Sequence, residues 1–457
     1  MNENGQHIFH LKSFGCQMNA YDSVRITHHL IEQGFCSSDC ETDADIIIFN
    51  TCYIREKASA KIFSEIGRLR KLYEKNKKTL PIFAILGCVA KAEGENIFKR
   101  APFVSIVLSS QKYHLLPDFL HQVIEDRNQI PPKGKKKKPL HLINTELSGL
   151  EKFDCLPPLE KSDKVAFIQV QEGCDNFCTY CVVPNTRGRE VSRAIADIMN
   201  EAKHLNDLGV VEINLLGQNV DSFNGVDENG KPSTLGDLIA KVAKLPNIQR
   251  IRYTTSYPSK ITNDMIELHK SEKKLMPLVY LPIQSGSNEI LHKMNRKYTR
   301  EKYLEIIEKL KTANPEIQIS SDFIVGFPTE TEEDFQQTLD MVKKVKFIQC
   351  YAFKYSPRPH TPAATMDGQI DNKVKAERLR LLQQELRKQQ DAFNKSCVGK
   401  VMQVLFTDIS KVDEQYIIGK NEYLQPVIVK ADKNLIGTIQ NVKITSGNYA
   451  NLKGEII

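Results

Sequence analysis

Gly173-Cys174-Asp175-Asn176-Phe177-Cys178-Thr179-Tyr180-Cys181 sets three thiols within nine residues, spaced CxxxCxxC, just after an apolar strand pattern at 165–170. Structural zinc is normally closed by four ligands in a tetrahedron, and iron-sulfur clusters are normally held by four cysteines. Three thiolates from one loop can grip three irons of a [4Fe-4S] cluster and leave the fourth iron without a protein ligand. Tyr180 precedes the last cysteine and Val182-Val183-Pro184 follows it. The loop therefore predicts a cluster that binds something further at its open iron. The alternative is three structural thiols that happen to fall close together.

Working outward from this loop, strand patterns at 211–216, 251–254, 278–281, 318–325 and 347–353 alternate with helical patterns at 194–208, 235–244, 263–271, 300–313 and 332–344. With 165–170 they make about six β/α units, which suggests a partial (β/α)6 barrel. Polar and glycine residues gather just past the strands: Gly217-Gln218-Asn219-Val220, Thr255-Ser256-Tyr257-Pro258, Pro282-Ile283-Gln284-Ser285-Gly286-Ser287 and Gly326-Phe327-Pro328. Barrel enzymes keep their chemistry there, although strand ends need turn residues in any case.

Upstream, strand patterns at 7–14, 44–50, 80–86 and 104–109 alternate with helical ones at 21–33, 55–74 and 92–100. Ile46-Ile47-Ile48-Phe49 is a continuous apolar run of the kind buried on both faces of a sheet. Strands alternating with helices imply a doubly wound parallel sheet, whose strand C-termini share one edge and bind ligands there. Cys16, Cys52 and Cys88 are 36 residues apart in both steps, and each follows a predicted strand. Three thiolates could thus converge on a second cluster, again one ligand short. Taken singly, each would be an ordinary small buried residue beside a sheet. Cys36, Cys40, Cys155, Cys350 and Cys397 show no such placement and read as structural or free thiols.

Pro131-Pro132-Lys133-Gly134-Lys135-Lys136-Lys137-Lys138-Pro139 has no periodicity and marks a boundary. It reads either as a solvated connector or as phosphate contacts beside a nucleic-acid site. After a charged helical pattern at 372–395, strand patterns at 401–406, 416–419, 425–429, 435–439 and 442–445 suggest a small antiparallel barrel, a type that often binds RNA. The divisions expected are 7–125, a linker at 126–159, a core at 160–393, and 394–457. The net charge of +7 is compatible with a polyanionic partner without requiring one. Eleven cysteines, an odd number, argue against a secreted disulfide scaffold, and low-potential clusters need a reducing compartment. No apolar run approaches the ~18 residues of a membrane helix, and Met1-Asn2-Glu3-Asn4-Gly5-Gln6 lacks signal-peptide organisation. A cytoplasmic location with no membrane partner is the expectation.

The CxxxCxxC loop resembles that of the radical S-adenosylmethionine (SAM) superfamily, in which the amino and carboxylate groups of SAM take the open iron. With both cysteine triplets and the C-terminal barrel in view, the whole chain resembles the methylthiotransferases, which join an N-terminal cluster domain, a radical SAM core and a TRAM domain. Gly15-Cys16-Gln17-Met18-Asn19, Asn50-Thr51-Cys52, Gly87-Cys88 and the stretch from Gly173-Cys174 to Arg187-Gly188 match motifs shared in that family. Leu215 to Val220, Leu281 to Ser287 and Asp322 to Pro328 look like the MiaB branch, which makes 2-methylthio-N6-dimethylallyladenosine in tRNA. The poly-lysine linker is not part of the family pattern.

The resemblance implies two [4Fe-4S] clusters, one on Cys174, Cys178 and Cys181 and one on Cys16, Cys52 and Cys88, with two SAM used per product. It implies that Tyr180, Gln218, Asn219, Gln284, Ser285, Ile324 and Gly326 lie near SAM. Gln17, Asn19, Arg187, Arg189 and Lys135, Lys136, Lys137 and Lys138 are the candidate substrate and RNA contacts, Arg being suited to oxyanions. Adenine C2–H is not acidic, so a carbon radical derived from SAM is the expected means of activating it, and the cofactors carry the hard chemistry. The implied partners are the anticodon loop of tRNA and a low-potential electron donor such as flavodoxin or ferredoxin, with the chain a monomer. Within the class, a threonylcarbamoyl-adenosine tRNA or a ribosomal-protein aspartate is the alternative substrate. From another class, the alternative is a non-catalytic two-cluster RNA-binding or electron-transfer protein. The open-iron loop speaks against the latter, because electron carriers complete their clusters with a fourth cysteine.

Overall fold

The structure, a computed structural model, describes residues 5–53, 56–129, 138–147, 149, 151–154 and 157–457. Lys135, Lys136, Lys137 and Cys155 lie outside the described residues. By its internal contacts the chain forms two compact units, one of Met1–Glu160, Glu172–Asp175 and Val182–Val191, the other of Lys161–Gln171, Asn176–Cys181 and Ser192–Ile457.

The first unit is built on a six-stranded parallel sheet in the order Cys36–Ser37, Ile8–Phe14, Ile46–Thr51, Ile82–Gly87, Val104–Leu108, Leu142–Asn144. Its apolar runs are buried on both sides, as a doubly wound sheet requires. Ile47, Phe49, Phe83, Ile85 and Val107 face one core with Ile62, Ile66 and Leu69 of the helix Glu56–Lys75. Ile46, Ile48, Ala84, Leu86 and Ile106 face the other, against Ile26 and Leu30 of the helix Gln17–Glu32 and Leu116 and Leu120 of Leu116–Asn128. The predicted strands are present. The two edge strands were not predicted, being only two and three residues long. The predicted helix at 92–100 is instead two short helices, Cys88–Glu93 and Asn96–Arg100, parted at Gly94.

In the second unit, Val165–Gln169, Glu212–Leu216 and Arg250–Thr254 form an in-register parallel sheet. Leu278–Tyr280 pairs with Gln318–Ser320, and Asp322–Val325 with Tyr351–Lys354, all parallel. This is the predicted series of six β/α units, with two local differences. The strand expected at 318–325 breaks at Ser321, whose hydroxyl donates to the Leu281 carbonyl (3.0 Å) and accepts from the Ile283 amide (3.0 Å), in place of ladder bonds. The strand expected at 347–353 begins only at Tyr351, because Lys346 and Gln349 are left-handed (φ 60° and 51°) and interrupt the extended chain.

The helix Asn372–Ser396 opens on Asp371, whose carboxylate accepts from the Lys373 amide at 2.7 Å, and buries Leu382 and Leu386 against the core. The C-terminal strands close a barrel in the order Val401–Ile409, Tyr416–Asn421, Pro426–Lys430, Leu452–Ile456, Ile439–Gly447. The expected strand at 435–439 is instead a turn, Lys433–Leu435, leading into one long strand, and Leu452–Ile456 supplies the fifth. The barrel packs onto the core through Arg250, which donates to the Gln403 and Lys420 carbonyls (2.7 and 3.0 Å), and through Leu278 and Ile348 in the barrel's apolar cluster. Among the described residues no helix is long and apolar enough to cross a membrane.

Candidate active site

Phe14 pairs with Thr51, and Thr51 with Gly87, so Cys16, Cys52 and Cys88 leave three adjacent strands at one edge of the sheet. The chain reverses its winding direction between Ile8–Phe14 and Ile46–Thr51, the switch point at which such sheets bind ligands, and Cys16 and Cys52 flank it. Cys16 is the exposed N-cap of Gln17–Glu32, with its sulfur 3.3 Å from Asn19 Oδ1. A hydrogen bond with Cys52 brings its thiol down to about 6, and the Arg187 charge assists it. Cys52 and Cys88 are buried. Gly87, at φ 89°, turns the chain into Cys88, and a Cβ there would stand 2.7 Å from the Thr51 carbonyl.

Arg187 joins this group from inside the fold. It is 2 % exposed, with Nε 3.4 Å from Cys88 Sγ, Nη1 2.8 Å from Glu172 Oε1 and Nη2 3.0 Å from Asp22 Oδ2. Lys152, fully buried, reaches the other oxygens of the same two carboxylates, 2.9 Å to Glu172 and 3.3 Å to Asp22. Burial would raise the Glu172 carboxyl, but Lys152 and Arg187 together hold it below the ordinary value.

Two of the candidate substrate and RNA contacts are buried. Arg187 is spent on this network. Asn19 is fully buried, donating to Asn50 Oδ1 at 3.0 Å while its carbonyl accepts from Asn50 Nδ2 at 2.9 Å, and it supports the Cys16 turn. Neither side chain is placed to meet a polyanion. Gln17 is half-buried at the helix start, Lys138 is exposed, and Arg189 is exposed in a 3.2 Å ion pair with Asp175. Cys174, half-buried, donates its amide to the Gly188 carbonyl at 3.3 Å. Gly173 (φ 80°) is required beside it, since a Cβ would fall 1.9 Å from the Arg189 carbonyl.

In the second unit, Cys178 is buried and Cys181 half-buried against the core. Their loop is fastened by the Thr179 amide and hydroxyl on the Met294 and Lys293 carbonyls (3.1 and 2.8 Å) and by Asn295 Nδ2 on the Phe177 carbonyl (2.9 Å). Arg296 stands behind Cys178, with Nη1 3.5 Å from its sulfur. Tyr180 and Ile324 pack against one apolar cluster with Ile290, Met294, Phe327 and Tyr355, so these two predicted SAM neighbours are brought together. The Gln218 and Asn219 amides donate to Gln171 Oε1 at 2.9 and 3.2 Å, which sets the loop after Glu212–Leu216. Gln284, at φ 75°, continues the sheet by its backbone, bonding the Asp322 carbonyl and the Ile324 amide at 2.9 Å each. Gly326 donates to Glu330 Oε2 at 2.6 Å. Ser285 is fully buried, with its hydroxyl on Thr338 (3.4 Å) and the Ser287 amide (3.2 Å), and its side chain braces the turn.

Asp22, Lys152, Glu172, Gln171 and Arg296 were not foreseen, and no local pattern marks them. The donor set suits iron-sulfur chemistry: soft thiolates backed by guanidinium donors to sulfur. Among the described residues no three His, Cys, Asp or Glu side chains gather on a single metal ion. A four-iron cluster does not need them to, since each thiolate takes its own iron.

Known proteins resemble this chain along nearly its whole length. The radical SAM superfamily matches residues 168–342, the uncharacterised protein family UPF0004 matches 8–109, and the TRAM domain matches 395–457. The chain is 49% identical over 453 residues to the tRNA-2-methylthio-N(6)-dimethylallyladenosine synthase of Rickettsia felis, covering 98% of this chain and 99% of that one. It is 50% identical over 452 residues to the protein of that name from Rickettsia canadensis, covering 98% of each. Among solved structures, the radical SAM methyltransferase TsrM from Kitasatospora setae matches with a TM-score of 0.55 at 14% identity, over 79% of this chain and 77% of that one. The last is a likeness of fold.

Proposed function

The chain belongs to the family of tRNA-2-methylthio-N(6)-dimethylallyladenosine synthases, which are radical SAM enzymes, and from that premise we propose that Cys16, Cys52 and Cys88 hold one [4Fe-4S] cluster and Cys174, Cys178 and Cys181 the other. The reaction is methylthiolation at C2 of N6-dimethylallyladenosine beside the anticodon of tRNA, with SAM and the clusters as cofactors. When bound, the clusters supply the electron that cleaves SAM and the sulfur that the product gains. The residues supply placement. Asn19, Asn50 and Gly87 set the three N-terminal thiols at the sheet edge, and Arg187 donates to one of them. Tyr180 and Ile324 form an apolar wall beside SAM, and the backbone of Gln218, Asn219, Gln284 and Gly326 shapes the rest of its surroundings. Gln17, Arg189 and Lys135 to Lys138 are the RNA contacts retained. The electron donor is a low-potential carrier of the flavodoxin or ferredoxin type, and the protein works as a cytoplasmic monomer. Its functional divisions are 7–125, 126–159, 160–393 and 394–457.

One observation carries the site assignment: three cysteines 36 residues apart in sequence stand at adjacent, in-register strand ends, with Cys16 and Cys52 flanking the switch point of the sheet. The substrate is tested with purified tRNA that carries or lacks the dimethylallyl group. Desolvating a few apolar carbons is worth ~1–3 kcal/mol, so prenylated tRNA should be preferred by roughly ten- to 200-fold in kcat/KM. Equal turnover of unprenylated tRNA, or modification of a ribosomal protein alone, would defeat this choice of substrate.

A further inference from the structure

Two buried arginines each donate to a cysteine sulfur, and their charges are balanced differently. Arg187, beside Cys88, shares its surroundings with Lys152, Asp22 and Glu172. Two cations meet two carboxylates, so the formal charge of that group is zero and the pull of Arg187 on the N-terminal thiols is offset in part by Asp22 and Glu172. Arg296, beside Cys178, has no such balance. It is 9 % exposed, and its partners are the Tyr298 hydroxyl (Nε, 2.8 Å), the Pro282 carbonyl (Nη2, 2.8 Å) and Cys178 Sγ (Nη1, 3.5 Å). The Tyr257 and Tyr298 rings lie 4.3 and 4.9 Å from the guanidinium carbon. Rings and carbonyls offer dipoles and quadrupoles but no net negative charge. Guanidinium is never deprotonated in proteins, and among the described residues no carboxylate pairs with Arg296. The one group it meets that is anionic once iron is bound is Cys178.

Reduction adds an electron to a cluster that is already anionic with its thiolates. Potentials of such clusters follow net charge, hydrogen bonds to sulfur and solvent exposure. A fixed, unbalanced positive charge on one ligand favours the reduced form, and the low dielectric around Arg296 leaves that charge poorly screened. We propose that Arg296 is a positioning residue whose unbalanced charge on Cys178 makes the cluster of the CxxxCxxC loop the more easily reduced of the two, so that a single electron settles where SAM is cleaved. The charge-neutral setting of Arg187 keeps the N-terminal cluster from competing for it. This rests on the assignment of both clusters made above.

The test is a redox titration of the anaerobically reconstituted full-length protein with a one-electron reductant such as titanium(III) citrate, followed by electron paramagnetic resonance. The two signals are assigned by replacing each cysteine triplet with alanine. In the unsubstituted protein the CxxxCxxC cluster should have the higher midpoint. Arg296→Gln should lower that midpoint by at least tenfold in the reduction equilibrium, about 59 mV for one electron, and leave the N-terminal cluster unmoved. Arg296→Lys keeps the charge and should retain most of the midpoint. A wild-type order with the N-terminal cluster reduced first would overturn the proposal, and that measurement needs no Arg296 variant to fold. So would an unshifted midpoint in iron-replete Arg296→Gln, or an equal shift in both clusters. Failure of the cluster assignment shows separately, as full iron content surviving the alanine triplets.

Discussion

Lys152→Met removes one charge from the buried network of the first unit while keeping the length and apolar stem of the side chain. The lysine nitrogen lies 5.3 and 4.9 Å from the centres of the Tyr113 and Phe153 rings, surroundings that a thioether tolerates. The loss is therefore mainly electrostatic: Asp22 and Glu172 are left sharing Arg187, and a balanced group acquires one buried negative charge. Breaking a buried ion pair on one side costs about 3–5 kcal/mol. A chain of several domains does not unfold in one step, so the assay is native-state hydrogen exchange at the Ile46–Thr51 and Ile82–Gly87 amides, which reads the opening of this unit alone. That cost corresponds to exchange faster by roughly a hundred- to several-thousand-fold. Adding Asp22→Asn restores neutrality, and the double variant should cost less than the sum of the singles by about 1–3 kcal/mol. The pH dependence has a definite sign. The Glu172 carboxyl is lowered in the folded protein, so its contribution is present above the ordinary value of 4.5 and is lost as pH falls through the lowered value. The gap between variant and wild type should thus close as pH drops below 4.5. Exchange within fivefold of wild type at pH 7, or additive costs in the double variant, would refute the reasoning.

Reconstituted protein should carry about eight iron and eight sulfide per chain, and alanine at Cys174, Cys178 and Cys181 should halve both. Alanine at Cys16, Cys52 and Cys88 should also halve them, leaving reductive SAM cleavage intact but no methylthio product; product formed without the N-terminal cluster is incompatible with its assigned role. Arg250→Gln should free the Gln403 and Lys420 carbonyls that fasten the C-terminal barrel, costing about 1–3 kcal/mol, seen as faster exchange in Val401–Ile409; unchanged exchange there would count against this anchor. Serine at Lys135 to Lys138 should flatten the slope of log Kd for tRNA against log salt by up to about 3 if all four meet phosphate, and an unchanged slope would make the linker a mere connector.

What the sequence made legible was whatever a local pattern must encode. Ile46-Ile47-Ile48-Phe49 can only be a strand covered on both faces, and both cores confirm it. Elements held by distant partners were harder to see. Leu452–Ile456 has a single fully buried residue, Leu452, and is held between Ile439–Gly447, its antiparallel neighbour, and Pro426–Lys430, with which it pairs in parallel across the barrel closure. The break at Ser321 depends on a carbonyl 40 residues away. The candidate site divides along the same line. Ligation to iron demands one residue type at a spacing the chain can present, so the six cysteines proposed to hold the clusters announce themselves. A balancing charge demands only a sum over whatever the fold gathers: Asp22, Lys152, Glu172 and Arg187 come from four separate segments, and Arg296 lies 118 residues from the sulfur it meets. No spacing rule governs such a sum. The proposed place of a cluster can therefore be read from the spacing of a few letters, whereas its readiness to accept an electron is a property of the folded chain.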